Sequence, residues 1–326
     1  MIFTSGVLFS CLIDIFIGWP HYLFKKIGHP VTWIGFLIKK FDKGFNKSTF
    51  RNEIRKLLGV ATLIILVMIV GMASFYAQWL VMTIFDKTWI KILLLAIFFW
   101  PFLAFKSMYE HIMQVYLALS NKGILQAREA VSHIVGRSTE KMGEPEIVRA
   151  SIESLAENTS DGIVAPIFWA ILFGLPGIAC YKTINTLDSM IGYKSEKYRD
   201  FGWASARMDD LVNFLPARLT CLLFAIFSSN PIETLYKALR DAKRHRSPNA
   251  GWPESAMAWS IGVRLSGPRL YDGKLNNEPW INSKGANGEK ADILKALRVF
   301  KMSMGTFVLA LAILLCFLIY LELPRR

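Results

Sequence analysis

Residues 57–85 read LLGVATLIILVMIVGMASFYAQWLVMTIF and contain no charged side chain. A helix of this length satisfies its own backbone hydrogen bonds, so it can cross the hydrocarbon core of a bilayer. The composition agrees, because 53% of the 326 residues are hydrophobic and only 19% are charged, too few for an ordinary soluble domain. The sequence therefore predicts an integral membrane protein.

Other apolar segments predict an all-α, polytopic fold of about four to six transmembrane or re-entrant helices in a single domain, 1–326. Residues 303–321 form a second clear span. Residues 2–19 form a third, which we expect to be retained because it lacks the basic start and the cleavage site of a signal peptide. Weaker spans, each short or interrupted by Pro and Gly, are 92–105, 163–180 and 214–227. For the last two, a re-entrant path is an alternative to a full crossing.

The segment between the first two spans is rich in Lys and Arg, and its only acidic residues are Asp42 and Glu53. Positive residues favour the cytoplasmic side, so we expect this segment, and with it the active face of a multi-pass protein, to be cytoplasmic. Simple alternation of spans would place residues 181–213 in an outside loop.

The formal net charge of +13 suits lipid headgroups and phosphorylated ligands. We expect no nucleic-acid partner, because no basic module with interleaved aromatic residues occurs.

The cysteines are far apart, and no pair is spaced for zinc or for a disulfide framework. Neither a Walker motif nor a dinucleotide-binding glycine pattern occurs. A nucleotide would therefore have to be bound by another kind of site.

The stretch ESLAENTSDGIVAP, residues 153–166, places three carboxylates at four-residue spacing: Glu153, Glu157 and Asp161. This spacing stacks them on one face of a helix, where like charges repel unless a cation lies among them. Magnesium takes oxygen ligands, typically one or two carboxylates together with waters. The alternative is that Glu153 and Glu157 are solvated and Asp161 caps the next helix.

Two further polar stretches follow. NTLDSMIGY, residues 185–193, places Asn185 and Asp188 on adjacent turns, although a single Asp is more often a surface or capping residue. SARMDDLVNFLPARLT, residues 205–220, places Asp209 and Asp210 before an apolar segment, where the dipole of a helix N-terminus would favour them.

Arg218 has no comparable explanation, because it lies within that apolar segment. A buried guanidinium needs a partner, and we expect Asp209, Asp210 or a ligand phosphate.

Residues 240–253, RDAKRHRSPNAGWP, crowd positive charge before a turn that leads into a helix starting near Pro253. Positive side chains beside the backbone amides of a helix N-terminus favour anion binding. The alternative is a basic cluster that contacts lipid headgroups.

Upstream, His29 in GHPVTWIG is a general base, a phosphate ligand or simply a loop residue ahead of a proline. Acidic and basic groups at membrane edges together predict a magnesium and phosphate site, with the motifs meeting at one membrane face.

Five motifs occur in order between about residue 14 and about residue 271: HPVTWIG, RASIESLAENTSDGIVAPIF, YKTINTLDSMIGY, KYRDFGWASARMDDLVNFLPARLT and SPNAGWPESAMAWSIGVRL. Together they resemble the adenosylcobinamide-phosphate synthase family of cobalamin assembly, also called CobD/CbiB. The resemblance implies a polytopic inner-membrane enzyme that joins adenosylcobyric acid to an amino alcohol through an amide bond. Aminopropanol, ethanolamine or their phosphates are the implied amines, with ATP as co-substrate and Mg²⁺ as metal ion.

The resemblance also implies roles for the intact motif residues, named here by function. The implied metal ligands are Glu153, Glu157, Asp161, Asp188, Asp209 and Asp210. The implied substrate and phosphate contacts are Asn158, Asn185, Ser247, Asn249 and Gly251, to which the crowded positive charge before this turn adds Arg240, Arg244 and Arg246. The implied catalytic residues are Arg207, Arg218 and, for deprotonating the amine, His29.

The sequence departs from the family pattern at three positions. Trp19 stands where the family has Asp in Gly-Asp-Pro, Ser138 where it has Asp in Gly-Arg-Asp-Thr, and Ser266 where it has Gly in Leu-Gly-Gly-Pro. The two lost carboxylates weaken any ligand role at these positions and leave room for a different choice of amino alcohol.

Two other functions are compatible with charges at membrane edges. An intramembrane prenyl or phosphatidyl transferase typically repeats Asp at four-residue steps, but the position after Asp188 is Gly192. A transporter of an organic anion would use Arg218 and the interrupted segment 163–180 as a midplane site.

Overall fold

The computed structural model describes residues 1–271 and 274–322, and most of this chain is helical. The elements, in chain order, are α1 (Ile2–Phe16), α2 (His21–Ile27), α3 (Pro30–Phe45), α4 (Asn52–Ile84), α5 (Thr88–Phe99), a 3₁₀ turn (Trp100–Phe102), α6 (Phe105–Asn121), α7 (Ile124–Ser132), α8 (Glu144–Thr159), a π turn (Ser160–Val164), α9 (Ala165–Ile191), α10 (Trp203–Val212), α11 (Phe214–Ile226), α12 (Pro231–Ala242), α13 (Gly251–Ile261), β1 (Leu265–Ser266), β2 (Arg269–Tyr271), β3 (Lys274–Asn276), β4 (Trp280–Ile281) and α14 (Lys290–Glu322).

Several helical runs in the described chain are long and apolar enough to cross a membrane: Asn52–Ile84, Thr88–Asn121, Glu144–Ile191 and Lys290–Glu322. They contain four of the spans that the sequence predicts. The predicted span 2–19 falls in a pair of helical segments bent by 109°, which makes a fifth candidate. The predicted span 214–227 corresponds to the shorter apolar helix α11. The prediction of an all-α, polytopic membrane protein is therefore confirmed.

The chain divides into two compact units. Unit 1 comprises residues 1–104, 165–213 and the chain from 311 onward, and unit 2 comprises 105–164 and 214–310. Each unit thus draws on segments that are far apart in sequence, so the predicted polar motifs are distributed over both.

In unit 1, α4 packs along α9, α1 packs on α5, and α10 packs on both α4 and α9. The break predicted in α9 is present, since Gly174 takes φ 65° and ψ −144° within the helix. The backbone amide released by this break, that of Leu175, donates to Gln78 Oε1 of α4 at 2.7 Å. Irregular backbone in an apolar segment is stable where protein satisfies its polar groups, and Gln78 does so here.

In unit 2, α13 packs on α11, α12 and α8, while α6 and α7 cover another side of α8. The core along α8 includes Ile147, Ile152 and Leu155, which are fully buried. Strand β1 pairs antiparallel with β4, with Ser266 opposite Trp280. This pairing fixes the chain just after α13 close to the middle of α8.

The structure corrects two expectations about where helices start. Residues 181–213 contain the end of α9, which continues to Ile191, and α10 at Trp203–Val212, while the side of the membrane that they face stays a prediction. Helix α13 begins at Gly251, slightly earlier than the predicted start near Pro253. Asp161 does not cap a new helix, because the π turn joins α8 to α9 as one helical run.

The packing of α4 on the segment before α10 can be tested by substituting Gly59. A Cβ at this position would collide with the backbone carbonyl of Phe201. We expect Gly59→Ala to reduce the free energy of unfolding by about 1–3 kcal/mol, because a close-packed backbone cannot move aside freely. Gly44→Ala is the matched control, since open space surrounds that exposed glycine of α3 and Ala favours a helix by roughly 0.5–1 kcal/mol. Thermal unfolding in detergent measures both, and equal stability of the two variants would contradict the packing.

Candidate functional site

Unit 1 contains a group of polar side chains that we call the aspartate cluster: Lys182, Asn185, Asp209, Asp210 and Asn213. The two aspartates lie in the last turn of α10, not at a helix N-terminus as the sequence suggested. The helix dipole disfavours negative charge at this end, so it does not explain why they are there.

Hydrogen bonds organise the cluster around Asp209. The Asn185 amide donates to Asp209 Oδ1 at 3.3 Å, and Lys182 Nζ donates to Asn185 Oδ1 at 3.3 Å. Asn213 accepts from the Tyr181 hydroxyl at 2.9 Å, and its side chain also interacts with Asp209. The cluster is therefore built on α9 and on the end of α10.

The pKa of Asp209 is raised from the ordinary 3.8 to about 6, chiefly by burial and also by the neighbouring Asp210. Asn185, Asn213 and Lys182 oppose this shift. The pKa of Asp210 is also raised by burial, against the influence of Arg207, whose guanidinium lies 3.5 Å from its carboxylate. Two adjacent carboxylates that are held partly out of water gain stability from a bound cation, which favours a functional role.

Asp188 lies one turn beyond Asn185 on α9, as their spacing predicts. Its backbone carbonyl accepts from Gly192 N–H at 2.7 Å. A Cβ on Gly192 would collide with the Asp188 carboxylate, so glycine is needed where α9 ends.

Lys182 is a member of the cluster that the sequence analysis missed. It precedes Asn185 by three residues in the motif YKTINTLD, and helical spacing places both on one face.

Unit 2 contains a chain of alternating charges that we call the arginine–glutamate network: Arg137, Glu153, Ser266, Glu278 and Arg246. Glu153 is buried, accepts a hydrogen bond from the Ser266 backbone amide at 2.6 Å and lies 4.0 Å from the Arg137 guanidinium. The Ser266 hydroxyl donates to Glu278 at 3.3 Å, and Arg246 lies 3.4 Å from Glu278. Glu153 thus has an arginine and a backbone amide as neighbours.

The predicted stack of three carboxylates on one face is only partly present. Glu157 is exposed while Glu153 is buried, and Asp161 lies in the π turn, where the wider turn changes its direction. Asn158 donates to the Ser154 carbonyl at 2.9 Å and lines a groove of about 280 Å³ with His111 and His133.

Two more arginines lie against Trp280 in this region. Arg149 is 5.1 Å and Arg264 is 4.4 Å from the centre of the Trp280 ring. With Arg137 and Arg246 they outnumber the two glutamates of the network, so this part of unit 2 is suited to an anion. Arg149 and Arg264 were not singled out from sequence, although Arg149 opens the motif RASIESLAEN and Arg264 is the single cation in SIGVRLSG.

Ser266 combines this network with backbone strain. Its φ is 60°, a left-handed conformation that is unfavourable for a residue with a Cβ. The next residue, Gly267, has φ 77°, and a Cβ there would collide with the Trp280 ring. Ser266, which stands where the family has a glycine, therefore has a backbone conformation that favours glycine, and it lies at the centre of the network.

The basic turn that follows α12 has a different internal structure from the predicted anion site. The Ser247 hydroxyl accepts from the backbone amides of Asn249 at 3.3 Å and Ala250 at 3.1 Å. Ser247 therefore binds two of the backbone amides in the turn that precedes α13, in the region that the sequence assigned to an anion. Gly251 is required because a Cβ would collide with His245.

The three arginines that the sequence predicted as anion contacts near this turn do not lie together. Arg240 pairs with Asp241 at 3.1 Å, and Arg244 is exposed. Only Arg246 of the predicted arginines joins the arginine–glutamate network.

Arg218 stabilises the same turn. Its guanidinium donates to Asn249 Oδ1 at 2.7 Å and to the Pro248 carbonyl at 3.3 Å. The rings of Phe214 and Trp252 lie 3.9 Å and 4.3 Å from it. The predicted partner was an aspartate or a phosphate, whereas the structure supplies an amide, a carbonyl and two aromatic faces, an arrangement that suits a delocalised cation.

His29 has a structural role. Its Nδ1 accepts from Val31 N–H at 3.2 Å and caps α3. It also bonds to the backbone of Pro101, which has no N–H, so the second ring nitrogen must donate to the carbonyl. Both nitrogens are used, which argues against the predicted amine deprotonation. Trp19 packs edge-on against His29 with ring centres 5.0 Å apart.

Among the residues that the structure describes, no group of three or more His, Cys, Asp or Glu side chains is arranged to hold a metal ion. The donor set of the aspartate cluster instead combines two carboxylates with amide oxygens. This combination fits Mg²⁺, which binds through one or two carboxylates and keeps several waters.

The fold and the two clusters define a polytopic, helical membrane protein with perturbed carboxylates and a strained, charged network, features typical of catalytic proteins. The family model described as CobD/Cbib protein matches residues 7–300. The chain belongs to this family.

Curated relatives cover nearly the whole chain. The chain is 46% identical to "Cobalamin biosynthesis protein CobD" of Rhodobacter capsulatus over 314 residues, 96% of this chain and 98% of the relative. It is 42% identical to the protein of the same name from Sinorhizobium sp. over 315 residues, 94% and 97% of the two chains. It is also 42% identical to the protein of that name from Brucella suis over 308 residues, which are 91% of this chain and 92% of the relative. No solved structure matches the chain.

Asp209 generates a prediction on stability and pH. Its pKa is about 6 in the folded protein against 3.8 unfolded, so ionisation costs stability at pH values above the higher pKa. This cost is absent below the lower value, where both states are protonated. Without divalent ions, Asp209→Asn should therefore unfold at a higher temperature than the wild type in alkaline buffer, and the difference should vanish in acid.

Asp42→Asn is the control, and it should lower the unfolding temperature in alkaline buffer. It removes a carboxylate that accepts a hydrogen bond from Lys197 Nζ at 3.0 Å. Thermal unfolding across pH measures both variants. An Asp209→Asn protein that is less stable than the wild type in alkaline buffer would contradict the raised pKa.

Ser266 generates a second prediction. Ser266→Gly and Ser266→Ala both remove the hydroxyl, but only the Gly variant relieves the strain at φ 60°. We expect Ser266→Gly to be more stable than Ser266→Ala by about 1–2 kcal/mol, as measured by chemical unfolding in detergent. Equal stability would mean that the backbone has left this conformation.

Proposed function

We propose that the protein acts in cobalamin biosynthesis as an adenosylcobinamide-phosphate synthase, an ATP- and Mg²⁺-dependent amide-forming ligase. Its substrates are adenosylcobyric acid and aminopropanol or ethanolamine, free or phosphorylated. It works in the cytoplasmic (inner) membrane from the cytoplasmic side. The observation that carries this proposal is the aspartate cluster, whose raised pKa values mark a site that gains stability from a cation. Membership of the CobD/Cbib family supports it.

The reaction needs activation because a carboxylate is a poor electrophile. An oxygen of the corrinoid carboxylate attacks the γ-phosphorus of ATP, the bond to the bridging oxygen breaks, and ADP leaves. The amine nitrogen then attacks the carbonyl carbon of the acyl phosphate. The carbon–oxygen bond to phosphate breaks, inorganic phosphate leaves, and the nitrogen gives up a proton to form the amide.

The aspartate cluster has the donors that the metal requires. Asp209 and Asp210 supply carboxylate oxygens, Asn185 supplies an amide oxygen, and Asp188 lies one turn further along α9. Bound Mg²⁺ would offset the negative charge of the triphosphate oxygens. Lys182, held by Asn185, adds a positive charge beside the carboxylates.

The arginine–glutamate network supplies the anion-binding function. Arg137 is oriented by Glu153, and Arg246 by Glu278, so their guanidinium groups are fixed before a ligand arrives. Fixed donors lose little freedom on binding an oxyanion, which makes them effective at stabilising transferred charge. Arg218 contributes indirectly, by holding the turn from which Arg246 projects.

The proposal predicts the product and its dependence on the aspartate cluster. Purified protein with adenosylcobyric acid, amino alcohol phosphate, ATP and Mg²⁺ should yield the amide, detected by mass spectrometry. We expect Asp209→Asn to lower the rate by roughly 10²-fold or more, because a metal-binding charge is lost while the fold remains. Glu196→Gln, which removes an exposed carboxylate elsewhere in unit 1, should keep the wild-type rate.

Absence of the product together with saturable uptake of the corrinoid into liposomes would overturn the proposal in favour of a transporter. Equal rates for the wild type and Asp209→Asn would remove the aspartate cluster from the site.

A further inference from the structure

Helix α12 is amphipathic, and one of its faces is firmly anchored in unit 2. It begins with Pro231 and is capped by Asn230, whose side chain accepts from the Glu233 backbone amide at 3.3 Å. On the buried face, Asp241 accepts from the Trp259 indole at 2.9 Å and from the Asn282 backbone amide at 3.1 Å. This face packs on α13 and α11.

The opposite face of α12 carries an apolar stripe. Ile232 is 84% exposed, Tyr236 72% and Leu239 37%. Their spacing of four and three residues places them on one side of the helix. Thr234, Ala238 and Asp241 are buried on the other side. A single exposed apolar residue needs no explanation, but a continuous stripe opposite an anchored face indicates an interaction surface.

Positive charge continues from the end of this stripe. Lys243 follows Leu239 by four residues, so it extends the same side of the helix, and Arg244 comes next. Both are exposed. Lys237, in contrast, lies 2.6 Å from Glu233, an ion pair that partly offsets its charge. The helix therefore presents an apolar stripe that ends in exposed cations.

The position of α12 indicates what covers this surface. It starts a few residues after α11, a shorter apolar helix, and packs against it. Apolar residues on one face, an aromatic residue with a polar tip and flanking Lys and Arg are the features of helices that lie in the membrane interface. The net charge of +13 complements anionic headgroups.

We propose that α12 lies in the plane of the membrane–water interface. Ile232, Tyr236 and Leu239 enter the boundary between headgroups and acyl chains, and Lys243 and Arg244 contact anionic headgroups. The basic turn that follows is thereby held at headgroup level, and through Arg246 it joins the arginine–glutamate network. This inference does not depend on the reaction that the protein catalyses.

Electron paramagnetic resonance of spin-labelled protein in lipid nanodiscs tests the proposal. The full-length chain carries Cys316→Ser, which removes the exposed native thiol, and one added cysteine: Ile232→Cys, Tyr236→Cys or, as a water-facing control, Glu129→Cys on α7. Power saturation compares collisions with oxygen, which concentrates in lipid, and with a water-soluble nickel chelate. We expect the labels at 232 and 236 to meet oxygen and to be shielded from nickel, and the label at 129 to show the reverse.

Headgroup charge provides the second arm of the experiment. Changing the discs from phosphatidylcholine alone to a mixture with phosphatidylglycerol should move the label at 236 deeper, and Lys243→Gln with Arg244→Gln should abolish that change. Nickel access at 232 and 236 equal to that at 129 would overturn the proposal. Shielding of both labels from oxygen as well as nickel would also overturn it, because a protein surface would then cover the stripe.

Discussion

A charge removed from water must be matched by an opposite charge, by hydrogen bonds or by a ligand, and this constraint organises the polar parts of the chain. Glu153 shows it most clearly, because a buried carboxylate on α8 is matched by the Ser266 amide and by Arg137. Arg218 meets the same constraint with an amide, a carbonyl and two aromatic rings. The loops that supply these partners are therefore held in place by the charges that they satisfy.

The aspartate cluster meets the constraint less completely than the arginine–glutamate network. Burial and the adjacent Asp210 raise the pKa of Asp209 in spite of the Asn185 amide and Lys182. The network, in contrast, contains more arginines than glutamates. The aspartate cluster therefore retains negative character that suits a metal ion, and the network retains positive character that suits an anion such as phosphate.

The membrane helices could be predicted from sequence because length and lack of charge suffice to define them. The predicted span 57–85 lies within α4 except for its last residue, and the glycine and proline at 174 and 176 correctly predicted the break in α9. The positions of polar residues were harder to predict. Nothing in the spacing of Glu153, Glu157 and Asp161 reveals a π turn, which changes the face on which Asp161 lies.

Other features that the sequence did not reveal share a physical cause, namely hydrogen bonds and ring contacts between segments that are distant in sequence or between a side chain and nearby backbone. The Ser247 hydroxyl binds two backbone amides of the turn before α13, and His29 caps α3. Arg149 and Arg264 were missed because their common partner, Trp280, lies far along the chain. Motif residues could be found from sequence, but their partners could not.

Direct binding of Mn²⁺, a paramagnetic substitute for Mg²⁺, tests the central claim that the aspartate cluster holds a divalent cation. Titration of the purified protein with Mn²⁺, in the presence of a non-hydrolysable ATP analogue, is followed by the loss of the free-ion resonance signal. The account predicts on the order of one ion per chain for the wild type and for Glu196→Gln, and loss of that binding in Asp209→Asn. Undiminished binding by Asp209→Asn would contradict it.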